Sequence, residues 1–468
     1  MASRAADGSA AVRLTDCLSA GVLAKTFPLE AVHAVLADTG RASQRERDLP
    51  AHVMAYYVVA LALYAPAPYE EVLRALLDGA RWLAGPEATA HVPGRSGISQ
   101  ARTRLGEAPL RQLFTRVVRP VATPATPGAC YRGRRLVSID GTTLDVADTP
   151  ANARAFGRPS ASRGTSAFPQ VRLVGLVETG THVVFAAALA PYATSELALA
   201  PEVLAALGPD MLCLADRHFP SFDLWHQATA TGAALLWRIR KDARLPVLER
   251  FADGSYRSEL RPTWHSRAPT RAALPVRVVE YTLPKVRDAE PRYRLVTTLL
   301  DPATAPAAEL AALYHERWEI EGTLDELKTH LKGAQAVLRS KTPELVRQEV
   351  WGLLLAHYAV RALLHEAAVT APAGPRDPDT LSFVHGVRVL RRMVPRLAAV
   401  SPSGPADRVA APARGAAHRT SRGIRRVEAR AERAPRRQAQ DDPLPRAPAP
   451  TATQPAGRLL DPDRNPPA

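Results

Sequence analysis

The sequence predicts an α/β protein with an all-helical segment at its start and a β-rich insertion before its last helices. Three observations predict this. Helical patterns separated by Pro- and Gly-containing turns fill the first 121 residues. From residue 129 to 240 strand-like runs alternate with helix-like ones. Between 241 and 300 the pattern turns to short β runs.

In chain order, residues 29–36, 51–64 and 69–82 read as helices. Residues 99–118 form another, opened by Ser99 as N-cap, with Leu105, Leu110, Leu113 and Phe114 in its apolar positions. Arg95, Arg102, Arg104 and Arg111 lie on or just before that helix. Arg102 and Arg104 are therefore candidate DNA contacts, and a basic solvated face is the plain alternative. A Pro- and Thr-rich connector at 122–128 closes this helical unit, residues 1–121.

A short strand over 135–139 ends in Asp140-Gly141-Thr142-Thr143. Residues 170–178 and 181–190 make a hairpin across Thr179-Gly180, and Ser195 caps a helix reaching 207. A strand at 211–215 runs into Asp216-Arg217-His218, followed by a helix at 221–230 and a strand at 233–239. Short β runs at 246–248, 276–283 and 293–300 fill the insertion, residues 241–300. Two long helices, 306–331 and 343–368, then complete the core over 301–370. In the remainder, 371–468, residues 384–397 suggest a short basic helix. Beyond 401 the chain is Ala, Arg and Pro with almost no aromatic residue, and disorder is expected there. A shifted reading frame in a GC-rich gene would also explain such an ending.

Composition narrows the partner. The 61 Lys and Arg against 46 Asp and Glu give a formal charge of +15 and a pI near 10.2, which favours a polyanion. Part of that excess sits in the tail, so a merely charged surface is the competing explanation. Cys17, Cys130 and Cys213 form neither a disulfide framework nor a zinc spacing, which suits a reducing compartment. The first residues lack an apolar leader and no run is long enough to span a bilayer. A soluble, cytoplasmic protein without a membrane partner is expected.

The helix at 306–331 carries the sharpest pattern. Tyr314, Arg317, Glu321 and Lys328 fall within an arc of roughly 60° at 3.6 residues per turn. Leu313, Ile320, Leu324, Leu327 and Leu331 form a neighbouring stripe that would bury against a core. An acid able to hold a metal, flanked by two cations, suits a phosphate bound over that metal. A solvated helix laced with i,i+4 pairs is the alternative. Two-metal phosphoryl transfer needs several carboxylates around hard cations, and the chain offers Asp140, Asp216 and Glu321. Asp145 and Asp148 compete with Asp140 but sit in loop-like surroundings.

The spacing Tyr314-x2-Arg317-x3-Glu321-x6-Lys328 resembles the YREK signature of DDE transposases of the insertion element 4 family. The phrases around Asp140, Phe156-Gly157-Arg158-Pro159, Phe168-Pro169-Gln170, Leu214-Ala215-Asp216-Arg217 and residues 293–301 look similar too. The likeness spans about residues 16–368. It implies a ribonuclease H-like catalytic core with a β-rich insertion, Mg²⁺ dependence (two ions, with Mn²⁺ able to substitute) and cut-and-paste movement of DNA. Asp140, Asp216 and Glu321 take the catalytic, metal-binding places by position. Arg317 and Lys328 match the phosphate-contacting cations and Tyr314 the phenol, which would orient a phosphate of the DNA as well. Trp264 is the candidate for stacking on a flipped base, with Trp237 second and a structural tryptophan the alternative to both. The implied partners are the terminal inverted repeats, read by the N-terminal region, and target DNA. Two protomers would pair the ends, on the nucleoid. His218 departs from the family pattern, where a small residue follows Asp-Arg, and the irregular tail departs further. A nuclease lacking strand transfer and a catalytically inactive DNA-binding derivative are the other expectations.

Overall fold

The computed structural model describes residues 22–397 apart from 46–47, 66, 85–91, 162–163, 166–167, 263–270, 283–291, 315–316, 318, 334–336, 372–373 and 375. Trp264 and the expected disorder beyond 401 lie outside the described residues.

Six helices lead: α1 (Val22–Thr26), α2 (Leu29–Asp38), α3 (Ala51–Leu63), α4 (Tyr69–Ala84), α5 (Arg95–Leu105) and α6 (Ala108–Val117). The single helix expected over 99–118 is thus two, and Ser99, expected as its N-cap, lies inside α5, whose N-cap is Gly94. Gly106, at φ 71°, breaks it with a backbone that side-chain-bearing residues rarely adopt, and Pro109 starts the next helix.

Next come β1 (Cys130–Tyr131), β2 (Arg134–Asp145), α7 (Pro150–Phe156), β3 (Ser160–Ala161), β4 (Gly164–Thr165), β5 (Gln170–Glu178) and β6 (Val183–Pro191). They are followed by α8 (Glu196–Leu204), β7 (Met211–Ala215), α9 (Phe222–Ala230) and β8 (Ala234–Arg238). Ser195 and Ser221 cap α8 and α9 by accepting the backbone N–H groups of Ala198 and Leu224. The strands β9 (Glu249–Arg250), β10 (Tyr256–Leu260), β11 (Leu274–Tyr281) and β12 (Tyr293–Thr297) precede α10 (Ala307–Tyr314), α11 (Glu319–Asp325), α12 (Pro343–Val369) and α13 (Phe383–Leu397).

One sheet organises the core, in the order β6-β5-β2-β7-β8-β12-β11-β10-β9. β2 runs antiparallel to β5 and parallel to β7, which is parallel to β8. β7 is buried along its whole length, as a continuous apolar run between two covered faces demands. This mixed five-strand arrangement is the ribonuclease H-like part. The strands expected over 241–300 are present as β9 to β12, and they extend that sheet. β12 pairs antiparallel with β8, giving the otherwise open edge of β8 its hydrogen-bond partners.

Apolar residues fill α12 on every side, and it is buried along most of its length between α3, α6 and α13. At its crossing with α3 a Cβ on Gly352 would stand 2.7 Å from the Val58 carbonyl oxygen, so only glycine permits this approach. The short basic helix expected at 384–397 is present as α13 and packs on α4 and α12, which places the start of the expected tail within the folded body. Among the described residues no helix is long and apolar enough to cross a membrane.

Candidate active site

Register places the first two acids. Ile139 of β2 pairs with Ala215 of β7, and Ala215 pairs with Trp237 of β8. Ile139, Ala215 and Trp237 are fully buried. Side chains alternate along strands, so the next residue on each strand turns to the opposite face: Asp140, Asp216 and Arg238 share one level. Contrary to the expectation from sequence, Asp140 does not end its strand. β2 runs on to Asp145 because β5 continues to pair with it, Asp140 opposite Gly175. What ends at Ile139 is the parallel ladder, and ligands of α/β sheets gather at that carboxyl end.

Local backbone fixes each carboxylate. Asp140 Oδ1 accepts the Gly141 N–H at 2.8 Å, and Asp216 Oδ1 accepts the His218 N–H at 2.8 Å. The unexpected His218 therefore serves the site through its backbone. Its ring Nε2 lies 3.8 Å from Asp216 Oδ2. The competing acids are engaged elsewhere: Asp145 accepts from Gln170 Nε2 at 2.8 Å, and Asp148 pairs with Arg158.

Of the helix expected over 306–331, the described residues form α10, α11 and a π-helical turn from Glu326 to Leu331. Tyr314 of α10, expected to contact DNA, is instead buried against the sheet, its hydroxyl donating to the Ala215 carbonyl at 3.2 Å. Burial pushes its phenol well above the usual range, so it stays protonated and donating. Arg317 is buried and its guanidinium lies between two acids, with Nη1 4.0 Å from Asp140 Oδ2 and Nη2 3.5 Å from Glu321 Oε1. Glu321 itself is half exposed at its side chain (49%). Ile320, Leu324, Leu327 and Leu331 are buried as the stripe required. Lys328 is exposed in the π turn, where the 3.6-residue period that placed it on one arc with Glu321 no longer holds.

The structure thus brings Asp140, Asp216, Arg317 and Tyr314 together and places Glu321 on the far side of the Arg317 guanidinium. Among the described residues no three acids, histidines or cysteines already stand as a metal cluster. The donor chemistry still fits a hard cation. Two carboxylates meet at one strand level, and Arg317 fills the place between Asp140 and Glu321 that positive charge would take.

Burial raises the Asp140 carboxyl to about 6. The Gly141 N–H and Arg317 oppose this, and the carboxylates of Asp216 and Glu196 add to it. Folding therefore favours protonated Asp140. The associated stability is complete below the ordinary carboxyl pKa near 4 and is lost as pH rises through 6. In metal-free buffer at pH 8, Asp140→Asn is expected to stabilise the fold by on the order of 2–3 kcal/mol, and at pH 4 to leave it nearly unchanged. Urea unfolding at the two pH values measures this, and equal effects at both would refute it.

Sequence reasoning missed several neighbours. Glu196 packs over Gly141, where a Cβ would stand 2.4 Å from the Glu196 carboxyl carbon, and Arg172 Nη1 donates to it at 2.8 Å. Arg238 lies over the Tyr293 ring at 4.6 Å, and Tyr293 stacks on Tyr281. Only strand register reveals these.

The DNA contact expected at Arg102 is corrected, and Trp237, the second candidate for base stacking, takes its structural alternative. Arg102 is 1% exposed and belongs to the interior. It donates to Gln348 Oε1 at 2.9 Å, Ser340 Oγ at 2.9 Å, Tyr69 Oη at 3.1 Å and the Leu345 carbonyl at 3.3 Å. Trp237 is fully buried edge-on to Trp225 and serves the core. Arg104 is exposed.

Residues 18–115 match the model of the insertion element 4 transposase N-terminal region, and residues 131–359 match the transposase DDE domain. "Transposase InsG for insertion sequence element IS4" of Escherichia coli (strain K12) is 31% identical over 378 residues, covering 80% of this chain and 82% of that one. The chain belongs to the insertion element 4 family of DDE transposases. "Putative transposase InsZ" of the same organism is 30% identical over 222 residues, 47% of this transposase and 71% of that protein. A solved piggyBac transposase synaptic complex with hairpin DNA covers 84% of this chain and 83% of its own, at 11% identity and a TM-score of 0.40. The transposase is accordingly an enzyme of DNA cleavage and strand transfer, with DNA as its substrate. Its DDE domain is of a kind that generally depends on divalent metal ions.

Proposed function

We propose that this transposase excises and inserts its element by a cut-and-paste route at a site formed by Asp140, Asp216 and Glu321. The observation that carries the reading is the common level of Asp140 and Asp216 at the end of the parallel ladder, with Tyr314 fastening the Glu321-bearing helical segment to the same rung.

The three carboxylates would hold Mg²⁺, as two ions, with Mn²⁺ able to replace it. Bound there, the cations supply activation of water or a 3′-hydroxyl and stabilisation of the leaving oxygen. Arg317 and Lys328 bind phosphates of the DNA strand. A phosphate gives the Arg317 guanidinium a bidentate partner and draws it from between Asp140 and Glu321. The Tyr314 hydroxyl holds this region against β7 while DNA enters. Trp264 stacks on a displaced base. The N-terminal helices, with Arg104 at their surface, read the terminal inverted repeats, and two protomers pair the ends on the nucleoid.

Joining is the activity that separates this reading from simple nucleolytic cleavage. Incubation of the protein with Mg²⁺, pre-cleaved element ends and a supercoiled target is expected to give covalently joined, relaxed products. Cleavage of ends without any joined product would show a nuclease on the same fold.

A further inference from the structure

Behind the Glu321 helical segment lies a buried polar cluster that the chemistry above does not use. Its centre is Glu326, the first residue of the π-helical turn and five residues past Glu321. Arg361 on α12 donates Nε to Glu326 Oε2 at 2.9 Å and Nη2 to Oε1. His357, one turn earlier on α12, places Nε2 3.1 Å from Oε2. His182 reaches in from the β5–β6 turn with Nδ1 3.5 Å from Oε1, on a left-handed backbone (φ 58°) that residues other than glycine seldom adopt. The far side of the cluster is Asp379, 3.2 Å from His182 Nε2 and 3.6 Å from Arg361 Nη1. Phe383 of α13 covers Arg361 and His357.

Burial alone would push the Glu326 carboxyl up, but the hydrogen bonds from His182 and His357 and the charge of Arg361 outweigh it and hold Glu326 well below the usual carboxylate range. Such a buried ionic cluster is a weak source of stability, because desolvation offsets most of the attraction, and apolar packing would serve the fold as well. Its geometry offers something apolar packing would not. Two segments distant in sequence, α12 and the β5–β6 turn, converge on a single carboxylate, and Asp379 closes the cluster behind them; a π turn is itself a departure from helical regularity that recurs at functional sites. The cluster also touches the acid-bearing segment directly: a Cβ on Gly322, next to Glu321, would lie 3.7 Å from His182 Cε1.

We propose that Glu326, gripped by Arg361, His357 and His182, is a positioning residue that sets the rotation of the Glu321-bearing helical segment relative to Asp140 and Asp216. The inference rests on the reading of Glu321 as a catalytic acid. Removing the grip frees that segment to turn about its axis, which carries Glu321 away from its partners while DNA contacts elsewhere are untouched.

Glu326→Gln keeps the shape of the side chain and removes its charge. The expected result is a folded protein that binds element ends as before and cleaves them roughly 10–100-fold more slowly in single turnovers. Amide hydrogen exchange should accelerate over residues 319–331 and stay unchanged in β7. Arg361→Lys, which keeps the charge but loses the planar fork, should give a smaller loss of the same kind. If Glu326→Gln does not fold, Asp379→Asn at the rim of the cluster carries the test through the same two readouts. A folded variant that is less stable but cleaves at the wild-type rate, with unaltered exchange over 319–331, overturns the proposal. Glu321→Ala is the control that separates the two claims. If it also cleaves normally, the catalytic assignment has failed rather than the positioning.

Discussion

Alanine at Asp140, Asp216 or Glu321 is expected to lower metal-dependent cleavage of element ends by about 10³-fold or more, with end binding preserved. Phosphoryl transfer leaves the protein little covalent chemistry, so nearly all of its rate enhancement resides in groups that hold charge at the reacting phosphate. Asp140 and Asp216 occupy adjacent strands at one level, so losing either removes half of the carboxylate pair already assembled on the sheet. Glu321 stands beyond Arg317, and its removal tests whether that third acid joins the pair when DNA is present. Gel assays of end cleavage beside fluorescence measurements of end binding read the two effects separately. Near-normal cleavage by any one of the three variants removes that residue from the site. Equal loss of binding would mean that the residue supports the DNA interface instead.

The second large effect concerns folding. Arg102→Ala should cost about 3 kcal/mol or more of stability, because it strips the donors from Gln348 Oε1 and the Leu345 carbonyl and leaves a cavity where a guanidinium was packed. Gln348 in turn donates to the carbonyls of Arg102 and Gly106, so its loss of orientation spreads to the end of α5. Arg104→Ala, two residues away on an exposed face, should change stability by no more than about 0.5 kcal/mol. It should weaken end binding and flatten the salt dependence of that binding by about one phosphate contact. Denaturant unfolding and salt titration of binding check the pair. If Arg102→Ala proved as stable as the wild type, the hydrogen-bond cage would have no energetic role.

The contrast between these two arginines shows how far local pattern reaches. Nothing in the spacing of Arg102 and Arg104 separates a buried cation from an exposed one, because the partners that bury Arg102 lie 33 positions before it, at Tyr69, and some 240 positions after it. Ser195 was legible as a cap, and Asp140 and Asp216 as acids beside strands, because in each case the deciding atoms are within a few residues. The family pattern added Glu321, Arg317 and Tyr314 by their spacing on one helix. Register was not legible: that Asp140, Asp216 and Arg238 are level follows from pairings among three strands. The same holds for the β-rich segment, whose strand content was evident while its attachment to the edge of β8 was not. The break of regular helix at Glu326 coincides with partners from α12 and the β5–β6 turn, and no local propensity announces it.

The cage around Arg102 also bears on how the protein comes off the ribosome. Its Nε and Nη2 donors are satisfied by groups emerging 238 to 246 residues later. At roughly 5–20 residues per second, α5 waits on the order of 10–50 s before Ser340 and Gln348 arrive. During that interval the nascent N-terminal helices carry an uncaged cation and an uncovered apolar face, since α12, which packs along α3, has not been made. Chaperone dependence, and rapid proteolysis of products truncated before residue 340, follow from that delay.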